Sequence, residues 1–71
     1  MRVTVEGTVM EISEMKDGRY TVALYQQGES QLCRVRVKSN GYEVGEKASY
    51  SGRLVAWRTR DGIGLMVLAE D

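Results

Sequence analysis

The chain has 71 residues, 42% of them apolar, with ten basic and ten acidic side chains and no His, Pro or Phe. That is the length of one domain, and a chain so short buries only about 60% of the surface its unfolded form exposes, which leaves no room for a deep catalytic cleft. With no His, and with Cys33 as the lone cysteine, the composition excludes Ser-His and Cys-His nucleophiles, an internal disulfide, and a thiolate or imidazole metal site.

The zero net charge conceals a segregation. Residues 1–31 set Arg2, Lys16 and Arg19 against Glu6, Glu11, Glu14, Asp17 and Glu29, a net charge of −2. Residues 32–60 set Arg34, Arg36, Lys38, Lys47, Arg53, Arg58 and Arg60 against only Glu43 and Glu46, a net charge of +5, before Asp61, Glu70 and Asp71 follow. A basic middle of this kind is the electrostatic footprint of a polyanion partner.

Turn pairs at Asp17-Gly18, Gln27-Gly28, Asn40-Gly41 and Asp61-Gly62 predict five strands. The runs between them alternate with period two and are rich in Val, Thr, Tyr and Leu: 2–13, 19–26, 31–38, 47–58 and 63–69. No window carries a helical stripe. The long first and fourth runs hold Gly7 and Gly52 near their middles, where a bulge or bend lets one strand serve two sheets. With no helix to cover an open sheet, closure is the way to remove its edges, so the expected fold is all-β, a five-stranded antiparallel barrel of Greek-key type, as one domain over 1–71.

In the second run, Tyr20, Val22 and Leu24 form the core face, opposite Arg19, Thr21, Ala23 and Tyr25. In the third, Cys33, Val35 and Val37 point inward and Arg34, Arg36 and Lys38 outward. Three cations at i, i+2 and i+4 are spaced by roughly 6.5–7 Å, close to the phosphate repeat of an extended single strand. If the second and third strands form a hairpin, Tyr25 and Thr21 share that face and put a ring where an unstacked base could lie. The fourth-to-fifth hairpin adds Trp57, Arg58 and Arg60 beside Asp61-Gly62. Each feature has a plainer reading as well. Arg34, Arg36 and Lys38 also suit a solvated, edge-protecting face, and Trp57 suits a core or dimer contact. Tyr20 reads as core, Tyr50 as inward-facing with Gly52 and Leu54, and Cys33 as a buried thiol. Gly62-Ile63-Gly64 lacks the remainder of any phosphate-binding loop, and Glu11, Glu14 and Asp17 lack a regular ligand pattern.

The stretch 44–54, VGEKASYSGRL, resembles the strand-four signature of bacterial single-stranded DNA-binding proteins and the related primosomal replication proteins, in which a Val-Gly pair is followed seven residues later by a second Gly. The continuation Trp57-Arg58-Thr59-Arg60-Asp61-Gly62, then Met66-Val67-Leu68-Ala69-Glu70, is similar to their aromatic and basic loop and final strand, so the likeness spans 44–70. The resemblance implies an oligonucleotide-binding (OB) fold that binds nucleic acid on its second and third strands and neighbouring loops, with Trp57 at the aromatic position and Arg58 and Arg60 at phosphate contacts. This chain is shorter than those proteins, has no Phe for their usual stacking positions and lacks the helix often found between strands three and four. The small dimeric filamentous-phage single-stranded DNA-binding proteins are comparable in size.

The sequence therefore points to a non-enzymatic, sequence-tolerant single-stranded DNA-binding protein of replication or recombination, cytoplasmic and without cofactor or metal. Arg34, Arg36, Lys38, Arg53, Arg58 and Arg60 would meet phosphates, and Tyr25 and Trp57 would stack on bases. The longest apolar run, 65–69, is far short of a membrane span. A core this small gains from a partner surface, which favours a homodimer. A protein-interaction barrel, with an apolar patch around Trp57, Tyr42 and Met66, and an RNA-binding module are the alternatives.

Overall fold

The computed structural model describes residues 1–39 and 41–70. Its five strands are β1 (Arg2–Glu14), β2 (Tyr20–Tyr25), β3 (Cys33–Val37), β4 (Lys47–Thr59) and β5 (Gly62–Ala69), each within two residues of the run that predicts it. Lys38 falls just beyond β3. Three of the expected turns form at glycines, and the β1–β2 turn shows why: Gly18, at φ 88°, donates to the Met15 carbonyl at 3.0 Å in a conformation that L side chains disfavour. Asn40 of the Asn40-Gly41 pair lies outside the described residues. A turn not anticipated sits at Val44-Gly45, closed by Glu46 N–H donating to the Glu43 carbonyl at 3.1 Å.

The strands form one sheet in the order β1-β2-β3-β5-β4, closing in a ring as β4 returns to β1. The expectation of purely antiparallel pairing needs correction. β3 and β5 run parallel, through Val35↔Val67 and Arg36↔Leu68, so the sheet is mixed. The reason is connectivity: β4 pairs with β1, and the β4–β5 hairpin then brings β5 back along the free side of β3 in β3's own direction.

The two long strands each serve two neighbours. β1 pairs with β4 over Arg2–Thr8 and with β2 over Thr8–Glu14, while β4 passes from β1 to β5 at Gly52 and Arg53. The bulge in β1 lies between Val9 and Glu11 rather than at Gly7. It corrects a phase error in the sequence: Val3, Val5 and Val9 are odd-numbered and Ile12 is even, and one extra residue lets all four pack at the core. Gly7 instead admits the neighbouring chain, since a Cβ there would lie 2.6 Å from the Tyr25 carbonyl oxygen.

Val9, Val22, Leu24, Val35 and Val67 are fully buried, joined by Val37 and Ala48, with Tyr20 and Tyr50 packed against them as expected. Ala23, assigned to the outer face, is also buried, at 7% exposure. It stands between Glu11 and Arg34 in register and is the smallest side chain in its row, so its neighbours cover it. Cys33 is half-buried rather than buried, and desolvation pushes its thiol above the ordinary value, which disfavours the reactive thiolate. Among the described residues, no helix is long and apolar enough to cross a membrane.

Among the described residues there are two exposed ion pairs: Arg2 with Glu70, which joins the start of β1 to the residue after β5, and, within the β1–β2 turn, Arg19 with Asp17, whose Oδ2 accepts from Nε at 2.7 Å. The hydrogen bond from each guanidinium is the main cause that holds the paired carboxyl below its usual value. A carboxyl whose pKa is depressed on folding stabilises the fold above its unfolded value, and the contribution disappears as pH falls through the depressed one. Because the pair is exposed, Glu70→Gln should lower the neutral-pH Tm only slightly while flattening the acid limb of Tm against pH. An acid limb of unchanged steepness would remove Glu70 from the acid response.

Candidate nucleic-acid interface

The pairing register decides which outward side chains share a surface, because residues directly opposite one another project from the same face. Arg36 lies opposite Thr21 on β2 and Leu68 on β5, and Leu68 lies opposite Arg53 on β4. Arg36 and Arg53, 17 residues apart in sequence, thus flank Leu68 on the outer face, with their Cα atoms about 10 Å apart across two strand spacings. Arg34 projects from the same face two residues earlier, and Tyr25 joins it by alternation with Thr21 and Ala23. Tyr25 is 45% exposed. Lys38 is exposed beyond the end of β3.

β4 continues past Arg53 as one strand of a two-stranded arm. Leu54 N–H donates to the Met1 carbonyl at 2.8 Å, and from Val55 to Thr59 the strand pairs with β5 alone. Trp57 lies on the outer face, in phase with Arg53, and opposite Gly64. The indole lies over that glycine: a Cβ on Gly64 would fall 2.5 Å from Cε2 of Trp57. One face of the ring is thereby supported while Trp57 as a whole stays 46% exposed. Arg58 follows Trp57 directly and so projects from the opposite face of the arm, and Arg60 stands in the tip turn. The structure thus brings Arg34, Arg36, Arg53, Tyr25 and Trp57 to one outer face and leaves Arg58 and Arg60 apart from it.

Among the described residues the two ion pairs involve only Arg2 and Arg19, so the candidate cations form none. Arg36 is half-buried and its Nε is shielded from solvent without an acceptor. Arg53 exerts a weak pull on Glu70, whose main partner is Arg2.

Sequence reasoning missed Lys47 as a site residue. Thr8 is the residue at which β1 changes partner, and it faces Tyr25 on one side and Lys47 on the other. Tyr25 and Lys47 both line an open cleft of about 750 Å³, with Gln26, Gln27, Tyr42 and Ser49 among its other walls. Nothing local to Lys47 announces this. The apolar patch expected around Trp57, Tyr42 and Met66 is also distributed differently. Tyr42 packs edge-on against Tyr50 at 5.5 Å between ring centroids, and the exposed apolar side chains beside the arm are Leu32, Ile63 and Leu65.

No family model, no curated protein and no solved structure matches this chain.

Proposed function

We propose that this chain is a non-enzymatic single-stranded DNA-binding module of OB-fold type, serving replication or recombination in the cytoplasm. The observation that carries the reading is the outer face on which Arg34, Arg36 and Arg53, none of them ion-paired to a described residue, lie with exposed Tyr25 and a Trp57 ring backed by Gly64. Phosphates follow the cations and bases stack on the rings, a sequence-tolerant mode because every base has a π-face. Lys38, Arg58 and Arg60 extend the positive field beyond the face. The fold reading is supported by the neighbours β4-β1-β2-β3, which stand in Greek-key order, with β5 filling the remaining gap. It is in keeping with the sequence likeness over 44–70 to bacterial single-stranded DNA-binding and primosomal proteins.

The test uses Trp57 as its own probe, since it is the only tryptophan. Titration with an oligothymidine of about 30 nucleotides at two salt concentrations should quench the emission, more weakly at higher salt, while a matched duplex gives little response. Anisotropy of a labelled strand should report the same affinity. Flat responses by both methods at low salt would sink the reading. Equal-length RNA in competition reports whether a 2′-hydroxyl is preferred.

The exposed Leu32, Ile63 and Leu65 favour a second reading, in which this end of the ring contacts protein.

A further inference from the structure

The free edges of the arm differ in chemistry. On the β4 side the edge carries Arg58, the kind of charged residue that discourages strand addition. On the β5 side, β3 pairs only with Val67 and Leu68, and the stretch from Gly62 to Met66 pairs with no other described strand. This stretch, Gly-Ile-Gly-Leu-Met, has no charge, no proline and no bulge, and it borders a cleft of about 490 Å³ whose far wall includes Gln31 and Leu32 of the β2–β3 loop. Ile63 and Leu65, 74% and 57% exposed, stand along it.

The phase of the edge follows from one hydrogen bond. Leu54 N–H points toward β1, so Val55, Trp57 and Thr59 turn their main-chain groups toward β5, where they meet Met66, Gly64 and Gly62. The outward main-chain groups on β5 are therefore those of Ile63 and Leu65. An antiparallel twofold centred on Gly64 matches them with themselves: Ile63 opposite Leu65 of the second copy, and Leu65 opposite its Ile63, each pair exchanging two hydrogen bonds. The register uses the whole unpaired stretch, puts apolar against apolar on one face, and brings two Gly64–Trp57 units side by side on the other.

We infer that the Gly62–Met66 edge of β5 is a homodimer interface in which a second copy of this chain adds its own β5 antiparallel, in register about Gly64. The zero net charge of the chain sets no long-range repulsion against this pairing. The interface does not depend on the nucleic-acid reading: Arg36 and Arg53 stand beside Leu68, beyond the unpaired stretch, while Arg34 lines the same cleft and borders the added strand.

Sedimentation equilibrium of the full chain without nucleic acid should show a dimer that dissociates on dilution through the micromolar range. Ile63→Lys, at an exposed position that the fold does not need, places a charge against Leu65 of the partner and should raise the dissociation constant at least about tenfold, with an unchanged circular dichroism spectrum. In a Cys33→Ser background, an oxidised mixture of Ile63→Cys and Leu65→Cys chains should form a covalent dimer, because opposed positions lie about 5.5 Å apart at Cα, whereas either variant alone places its thiols beyond bridging distance. A monomer throughout the range, a dimer indifferent to Ile63→Lys, or equal cross-linking by the single variants would each overturn the inference. Because no nucleic acid is present, none of these outcomes bears on DNA binding.

Discussion

Gly52→Val should remove a large share of the stability of the chain. Gly52 is buried where β4 exchanges β1 for β5, between Val3 on one side and Ala69 on the other. A Cβ at this position would lie 2.0 Å from the Leu68 carbonyl oxygen and 2.8 Å from the Ala69 Cα. Both are main-chain atoms held in the β4–β5 ladder, so relief requires the strands to separate rather than a side chain to turn. Overpacking of this severity costs at least about 3 kcal/mol. A chain of this length has only about 4–11 kcal/mol of total stability, so the loss is a large share of it. Gly41→Ala is the control, since its Cβ meets nothing within 4 Å. It should stay within about 1 kcal/mol of the parent, with a gain if the unfolded chain is stiffened. Urea unfolding followed by circular dichroism measures both. A Gly52→Val melt within a few degrees of the parent would mean that β4 does not pass this close to β5.

Trp57→Ala should weaken oligothymidine binding about 5- to 150-fold, the equivalent of about 1–3 kcal/mol for one stacked base. The loss should fall on affinity and not on folding, because the ring covers Gly64 on an arm beyond the closed part of the ring and is half in solvent already. The arginines should behave differently. Arg36→Ala and Arg53→Ala each remove a cation beside Leu68, so each should lower the dependence of log affinity on log salt by about 0.7 while weakening all sequences alike. Arg58→Ala, on the other face of the arm, should change the slope less. A Trp57→Ala protein that binds as tightly as the parent would place the bases elsewhere, with the cleft beside Tyr25 and Lys47 as the next surface to test.

The five strands were legible because their signals are local. Period-two alternation sorts Val22 and Leu24 from Thr21 and Tyr25, and Val35 and Val37 from Arg34 and Arg36, without reference to any distant residue. The bulge was legible too, in the shift of phase between Val9 and Ile12, although Gly7 drew attention to the wrong position. The opposite placement of Trp57 and Arg58 was also readable from their adjacency, once the hairpin is taken as two strands rather than as one loop. Ala23 was not readable, because its burial depends on Glu11 and Arg34, which flank it from two other strands.

By itself the sequence determined the number of strands, most turns, the core valines of β2 and β3 and the outward cations of β3, all of which depend on side-chain alternation and on the backbone preferences of a few neighbouring residues. Only the tertiary structure decided that β5 lies parallel to β3, that Arg53 stands across Leu68 from Arg36, that Lys47 faces Tyr25 across Thr8, and that the edge from Gly62 to Met66 stays open. These are pairings between residues far apart in the chain. No local period encodes them, because they are set by which strand has a free edge and an apolar face left to cover when the ring closes.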